Sequence, residues 1–272
     1  MSSHVDPRFT GVWRREAITT PDGARDDTTR VFWLQTRSWY ADIRVPAGRP
    51  VRPTPGLEAC SDDELIALAA QEGFAGELTA GPRVLSWRRD LDYQPPGAWP
   101  DEGYWELDAD VLVERGLHVG YEEIWRLQPE SRGERLAFGL AADDAAPGCR
   151  GLLVVAGDCF LSVLGRPSAP PGPTLHAAVA ERLAAGDRAG ARALLDMPIA
   201  YGRIEGAGAP WTVTLSTCPW LEGASLWSAG PPAFDADAAL LVAPSAEGAR
   251  AWRLLDSTLE PAAVAARLRL AP

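Results

Sequence analysis

A mainly β protein built around an antiparallel meander barrel is predicted by three observations. Short segments of strand character follow one another from residue 12 to residue 165, Pro, Gly and Asp clusters separate them, and no crossover helix stands between them. A parallel sheet would need such crossovers. The first segment (12–19) ends at Pro21-Asp22-Gly23, a turn whose Gly can take positive φ. The second run, residues 30–46 (RVFWLQTRSWYADIRVP), is long enough for one bent strand or two strands broken near Arg37-Ser38. As continuous extended chain it would put Phe32, Leu34, Thr36, Ser38, Tyr40, Asp42 and Arg44 on one face, and Trp33, Gln35, Arg37, Trp39, Ala41 and Ile43 on the other. Both faces mix apolar with hydrogen-bonding groups. That mixture predicts an enclosed but polar surface, such as a barrel wall facing a ligand cavity.

Residues 47–56 are too rich in Pro and Gly for regular structure. Ser61-Asp62-Asp63-Glu64 then has the form of a capping box, which predicts a short helix over 62–72 that either covers a barrel mouth as a lid or packs outside. Strands follow at 76–80, 83–93, 103–113, 120–127, 135–142, 151–156 and 159–165. Residues 167–173 break the pattern. Thr174 and Asp187 are N-cap candidates for a helical hairpin, and further strands are predicted at 199–205, 211–217, 225–227, 240–243 and 252–255. Pro261 opens a terminal helix. The expected organisation is a barrel with its trailing helix over residues 8–186, and a C-terminal β extension over 187–272 that packs on the barrel or completes it.

Composition narrows the partners. The chain of 272 residues carries 26 basic residues, all of them Arg, against 37 acidic ones; a net charge of -11 repels a phosphate backbone and excludes nucleic acid. The start, MSSHVDPRF, has no basic and apolar leader pattern, and no apolar run is long enough to span a bilayer, which predicts a cytoplasmic protein with no membrane partner. Cys60, Cys149, Cys159 and Cys218 lack CxxC spacing, and His4, His118 and His176 lack ligand spacing, so neither a metal nor a disulfide framework is expected. Phosphate-cradling, dinucleotide and nucleophile-elbow motifs are missing, and no cofactor is expected. The sequence sets no oligomeric state.

Phe9-Thr10-Gly11-Val12-Trp13 resembles the F-x-G-x-W signature that opens the lipocalin-like, or calycin, β-barrel family. With the strand count and the trailing helix, the resemblance covers about residues 8–186 and is strongest to the cytoplasmic bacterial and fungal branch, whose members are mostly uncharacterised. It implies that Trp13 plugs the closed barrel end. It also implies that Arg166, in Gly165-Arg166 between a strand and a helix, is the Arg that packs on that Trp.

The candidate site rests on polar residues set among tryptophans, of which the chain has eleven. Trp joins a large apolar body to a single N–H donor and suits half-polar cavity walls. Tyr40, Asp42 and Arg44 recur at i, i+2 and i+4, placing a phenol, a carboxylate and a guanidinium in a row. Tyr121, Glu123 and Trp125 share a second face; a carboxylate buried between aromatics must pair with an Arg or titrate upward. Two functions follow. The first is binding of a small, partly aromatic, anionic or hydrogen-bonding molecule. Trp33, Trp87, Trp105, Tyr121 and Trp125 would form its walls, with Gln35, Arg44, Arg89 and Asp92 as polar contacts. The second is a cofactor-independent hydrolase, lyase or isomerase in the same cavity, with Glu123 or Asp42 as base, Tyr40 as acid and Arg44 as anion clamp.

Overall fold

The computed structural model describes residues 5–50, 55–140, 150–205, 211–245 and 248–268. His4 and Cys149, considered above as ligands, lie outside the described residues. The first half is a closed antiparallel barrel. Its strands are β1 (Gly11–Thr19), the two-residue β2 (Arg25–Asp26), β3 (Arg30–Gln35), β4 (Trp39–Val45), β5 (Glu72–Ala80), β6 (Val84–Asp92), β7 (Asp101–Asp108), β8 (Val111–Gly116) and β9 (Glu122–Leu127). Each pairs with its neighbour, and β1 pairs with β9 from Trp13↔Leu127 to Thr19↔Glu122, which closes the ring. Only β2 stands outside it, as an extra edge on β1.

The long run at 30–46 is a hairpin, not one bent strand. A tight turn at Thr36, where the Trp39 carbonyl accepts the Thr36 amide at 2.8 Å, shifts the alternation between its two arms. Val31, Trp33 and Gln35 of β3 therefore face the same way as Tyr40, Asp42 and Arg44 of β4, in the register Trp33↔Asp42 and Gln35↔Tyr40. That face is the barrel interior. The opposite face of the wall (Leu34, Ala41, Ile43, Val45 and, on β5, Ala75) is also buried, in an apolar core shared with the second half of the molecule.

The second half is another antiparallel meander. It comprises β10 (Arg135–Leu140), β11 (Gly151–Ala156), β12 (Cys159–Leu164), β13 (Ile199–Ile204), β14 (Trp211–Ser216), β15 (Ala233–Asp235), β16 (Leu240–Ser245) and β17 (Gly248–Ser257). Its first and last strands pair, as in the barrel, but β14 and β15 do not, so the ring stays open there. One face of this sheet lies on the barrel wall; the other encloses a core of its own, including Phe138, Phe160, Trp211 and Trp252, closed by Val264 of a short helix, α4 (Pro261–Arg267) when the helices are counted along the chain. The division thus falls between β9 and β10. Residues 135–165, expected in the barrel, belong instead to the second meander together with the C-terminal strands. The reason is the burial of β11 and β12 on both faces, which suits a layer pressed between two cores and not a barrel wall with a solvated outside.

The other three α-helices occupy the joint. α1 (Asp62–Leu68) is held by the expected capping box, Ser61 Oγ accepting the Glu64 amide and Glu64 Oε2 accepting the Ser61 amide at 2.8 Å. Its Leu65 and Leu68 point into the shared core, beside α2 (Leu175–Ala184) and α3 (Arg188–Leu195), so the helix covers the barrel's flank. Polar ties cross the joint at both ends. Arg37 donates to Asp256 at 2.8 Å, and Arg49 to Glu222 at 2.7 Å. Arg166 does not reach Trp13. It follows a strand of the second sheet, donates to the carbonyls of Leu194, Asp92 and Tyr93, and lies over the Tyr93 ring at 5.3 Å. Trp13 instead donates to the Phe9 carbonyl at 2.7 Å and stacks on Trp33 at 6.1 Å. Arg166 therefore pins the end of β6 to the helical layer.

Candidate functional site at the barrel mouth

Strand direction sorts the interior into two layers. β1, β6 and β8 run from the closed end to the mouth, and β3, β5, β7 and β9 run back, so inward residues early in β9 and late in β6 share the mouth. The closed half is packed with indoles. Trp33 meets Trp87 and Trp125 edge to face, each at 5.8 Å, beside its stack on Trp13. Gln35 lies here, accepting the Trp33 Nε1–H at 3.1 Å and donating to the Thr36 carbonyl, so it braces the plug. Trp105 is here too, edge-on to Phe9 at 4.9 Å with its N–H on the Gly81 carbonyl. Neither reaches the mouth.

Above the indoles sits a charged layer. Arg15 donates to Glu123 at 2.6 Å and to Asp26 at 3.3 Å; Arg44 donates to Asp42 at 2.9 Å and to the same Glu123 at 3.3 Å. Asp42, Arg44 and Glu123, singled out from sequence, are thus brought together, with Arg15 as the unexpected fourth member. Arg89 forms a second cluster with Asp101 at 2.6 Å and Asp92 at 3.1 Å, its guanidinium 3.5 Å above the Phe74 ring. Both guanidiniums are engaged by carboxylates, so the anion clamp expected of Arg44 is already filled. Tyr40 stands apart. It is fully buried, and its hydroxyl donates to the Arg88 carbonyl at 3.4 Å, across a β6 backbone that bulges over Gly76. A Cβ at Gly76 would lie 1.9 Å from that carbonyl oxygen, so only Gly permits the approach.

Glu114 is the buried carboxyl that sequence reading missed. It faces Glu123 across the β8–β9 ladder, accepts the Tyr121 hydroxyl at 2.7 Å, and among the described residues has no cation as a hydrogen-bond partner. Gly103 opposite makes room, since a Cβ there would press on the Glu114 carboxyl at 3.0 Å. Burial, and then the charge of Glu123, push the Glu114 carboxyl well above its ordinary value, which favours its protonated form. Burial also raises Asp42, from 3.8 to about 6, with Arg44 opposing the shift. Between Glu114, Asp42 and Trp125 remains a void of about 10 Å³, room for one water-sized group. Among the described residues, the Trp125 Nε1–H has no hydrogen-bond partner.

The sign of the pH dependence follows from these two carboxyls. Their folded values exceed the unfolded ones, so the native state binds more protons and loses stability as pH rises through the window from 3.8 to about 6 for Asp42, and further up for Glu114. Glu114→Gln keeps an acceptor for Tyr121 and removes that liability. Urea denaturation should show the variant within about 1 kcal/mol of wild type at pH 5 and relatively more stable at pH 8. A variant that loses ground at pH 8 would show that Glu114 is ionised.

The open recess lies outside this layer, between the β6–β7 and β8–β9 loops. Its volume is about 390 Å³. Trp87 forms the floor and Tyr121 one side, while Trp99, 66% exposed, stacks on the His118 ring at 5.6 Å and 12°. Arg89, Asp92 and Asp101 line the inner edge. Trp99 and His118 lie in loops, where no strand period marks them as lining. A larger, shallower cleft of about 620 Å³ runs between barrel and second sheet along Arg14, Phe32 and Arg203. There Phe32 stacks on Tyr201 at 4.2 Å and Arg203 pairs with Glu130 at 2.9 Å, as at a joint between layers.

No protein family matches the chain, and no curated protein matches it. Among solved structures it is similar to the uncharacterized protein YLR301w from Saccharomyces cerevisiae, at 13% identity and a TM-score of 0.56 over 92% of this chain and 99% of that one. A lipocalin-like protein from Bacteroides uniformis aligns with 44% of this chain and 99% of its own, at 12% identity and a TM-score of 0.30. The chain shares the fold of the yeast protein along most of its length, and its first half, by strand order and closure, is the antiparallel meander barrel that the sequence predicts.

Proposed function

We propose that the protein binds a small, partly aromatic, hydrogen-bonding molecule in the barrel mouth. One observation carries this reading: a recess of about 390 Å³ joins the aromatic side chains of Trp87, Trp99 and Tyr121 to the Arg89–Asp92–Asp101 cluster. That volume falls within the range of small-molecule sites, and aromatic walls with few polar groups are their usual lining. An anionic ligand has less support, because Arg44 and Arg89 already carry carboxylate partners. Native mass spectrometry of protein purified from its own host should reveal a retained small molecule. Trp99→Ala, at an exposed position, should lose that molecule while leaving the unfolding midpoint unchanged. Equal retention by wild type and variant would remove the mouth from consideration.

A catalytic reading is favoured by one feature, the carboxyl of Glu114, which is raised well above its ordinary value beneath the recess. In that reading Glu114 supplies the general acid in place of Tyr40, whose hydroxyl is given to a backbone carbonyl, and Asp42 remains the candidate base. Glu114→Gln should then abolish turnover and spare ligand affinity; turnover unchanged in the variant would leave binding alone.

A further inference from the structure

We infer that the mouth recess takes an organic cation, an aromatic amine or N-methylated ammonium ion whose charge rests between the indole and phenol faces and the carboxylates of the rim. The inference rests on the reading of this recess as a small-molecule site. Its first ground is charge balance. Asp92, Asp101 and Glu102 line the recess against a single guanidinium, Arg89, which is itself paired to two of them. Glu102 Oε2 lies 3.0 Å from His118 Nε2 on the same rim. A negative ligand would meet this surplus without a free donor of positive charge. A cation would complete it.

The second ground is the arrangement of π faces. Trp87, Trp99 and Tyr121 come from three separate elements, β6 and two loops, and converge on one space of about 390 Å³. A ring quadrupole attracts a cation held over its face, most strongly for Trp, and gains when the site is partly shielded from water. Trp99 is held in place by its stack on His118, although two thirds of its surface is exposed. An exposed indole fixed beside carboxylates is costly to leave facing water and suits a ligand with a flat or methylated positive group. Burial raises the Asp92 carboxyl above its ordinary value, with Arg89 beside it opposing the shift.

Below the recess, Trp87 and Asp101 also line the small inner void.

The test uses three probes of one shape: benzyltrimethylammonium, benzyl alcohol and benzoate, titrated into the full chain and followed by tryptophan fluorescence and calorimetry. The cation should bind at least about tenfold tighter than the alcohol, and benzoate weakest, with the preference falling as salt rises. Trp99→Ala should reduce cation affinity about tenfold, and Glu102→Gln should weaken the cation but not the alcohol. Asp101→Asn, which leaves Arg89 less neutralised, should narrow the gap between cation and benzoate. Wild-type circular dichroism and melting in Glu102→Gln keep that comparison valid even where Asp101→Asn fails to fold. Binding of alcohol or benzoate as tight as the cation would overturn the cation inference and leave the recess as a site. No response from any probe, with ligand from the host retained equally by Trp99→Ala, would overturn both.

Discussion

Glu123→Leu is expected to lower the unfolding free energy by about 3–5 kcal/mol, the cost of leaving buried guanidiniums without their carboxylate. The side chains of Arg15 and Glu123 are 6% and 2% exposed, and Arg44 leans on the same Oε1. Asp26 and Asp42 would retain one contact each with the two arginines, which limits the loss but does not replace a shared, fully buried acceptor. The double variant Arg15→Met/Glu123→Leu should recover much of the loss, because well-packed apolar pairs often match the stability of a buried ion pair. Urea denaturation of the two singles and the double gives the coupling directly. A loss under about 1 kcal/mol in Glu123→Leu would mean that water reaches the charged layer.

Ile43→Ala is expected to cost about 2–5 kcal/mol, and to destabilise both halves of the molecule together. Ile43 is fully buried on the outer face of β4, in the core that the barrel shares with β11, β12 and β13. The approach there is close. Ile199 of the second meander reaches over Gly73 of β5, where a Cβ would lie 2.6 Å from its Cδ1. Two half-molecules sharing one core should unfold in a single calorimetric transition, moved to lower temperature by the substitution. Two transitions, of which only one moves, would show that the halves are independent.

The run at 30–46 shows what sequence could and could not disclose. Its mixed polarity announced an enclosed polar surface, and Asp42 and Arg44 do face the barrel interior. Periodicity alone could not show that the other side of β4 is buried as well, since a period of two tells apart faces and not what covers them. Glu123 was marked by its place between Tyr121 and Trp125. Glu114 was not, because Glu114-Arg115 after two valines resembles a solvated ion pair, and only the β8–β9 register turns Glu114 toward Glu123. Trp105 and Gln35 were placed among the cavity residues because strand direction, which sends them to the closed end, depends on ring closure. The early end of the barrel had one visible signal. Residues 151–156 and 159–164 are apolar at nearly every position, which marks strands covered on both sides.

The barrel is unequal around its circumference. β3, β4 and β5 have cores on both sides, so a polar replacement on either face of that arc carries a burial cost. β7 and the neighbouring loops differ, with Tyr104, Glu106 and Asp108 turned to solvent. Sequence drift in this fold should therefore collect on the β6–β9 side and spare the joint. Residues 96–100 and 118–121, which shape the recess, belong to that free side. Related chains could keep the two-meander frame intact while changing what the mouth admits, and the frame would register none of it.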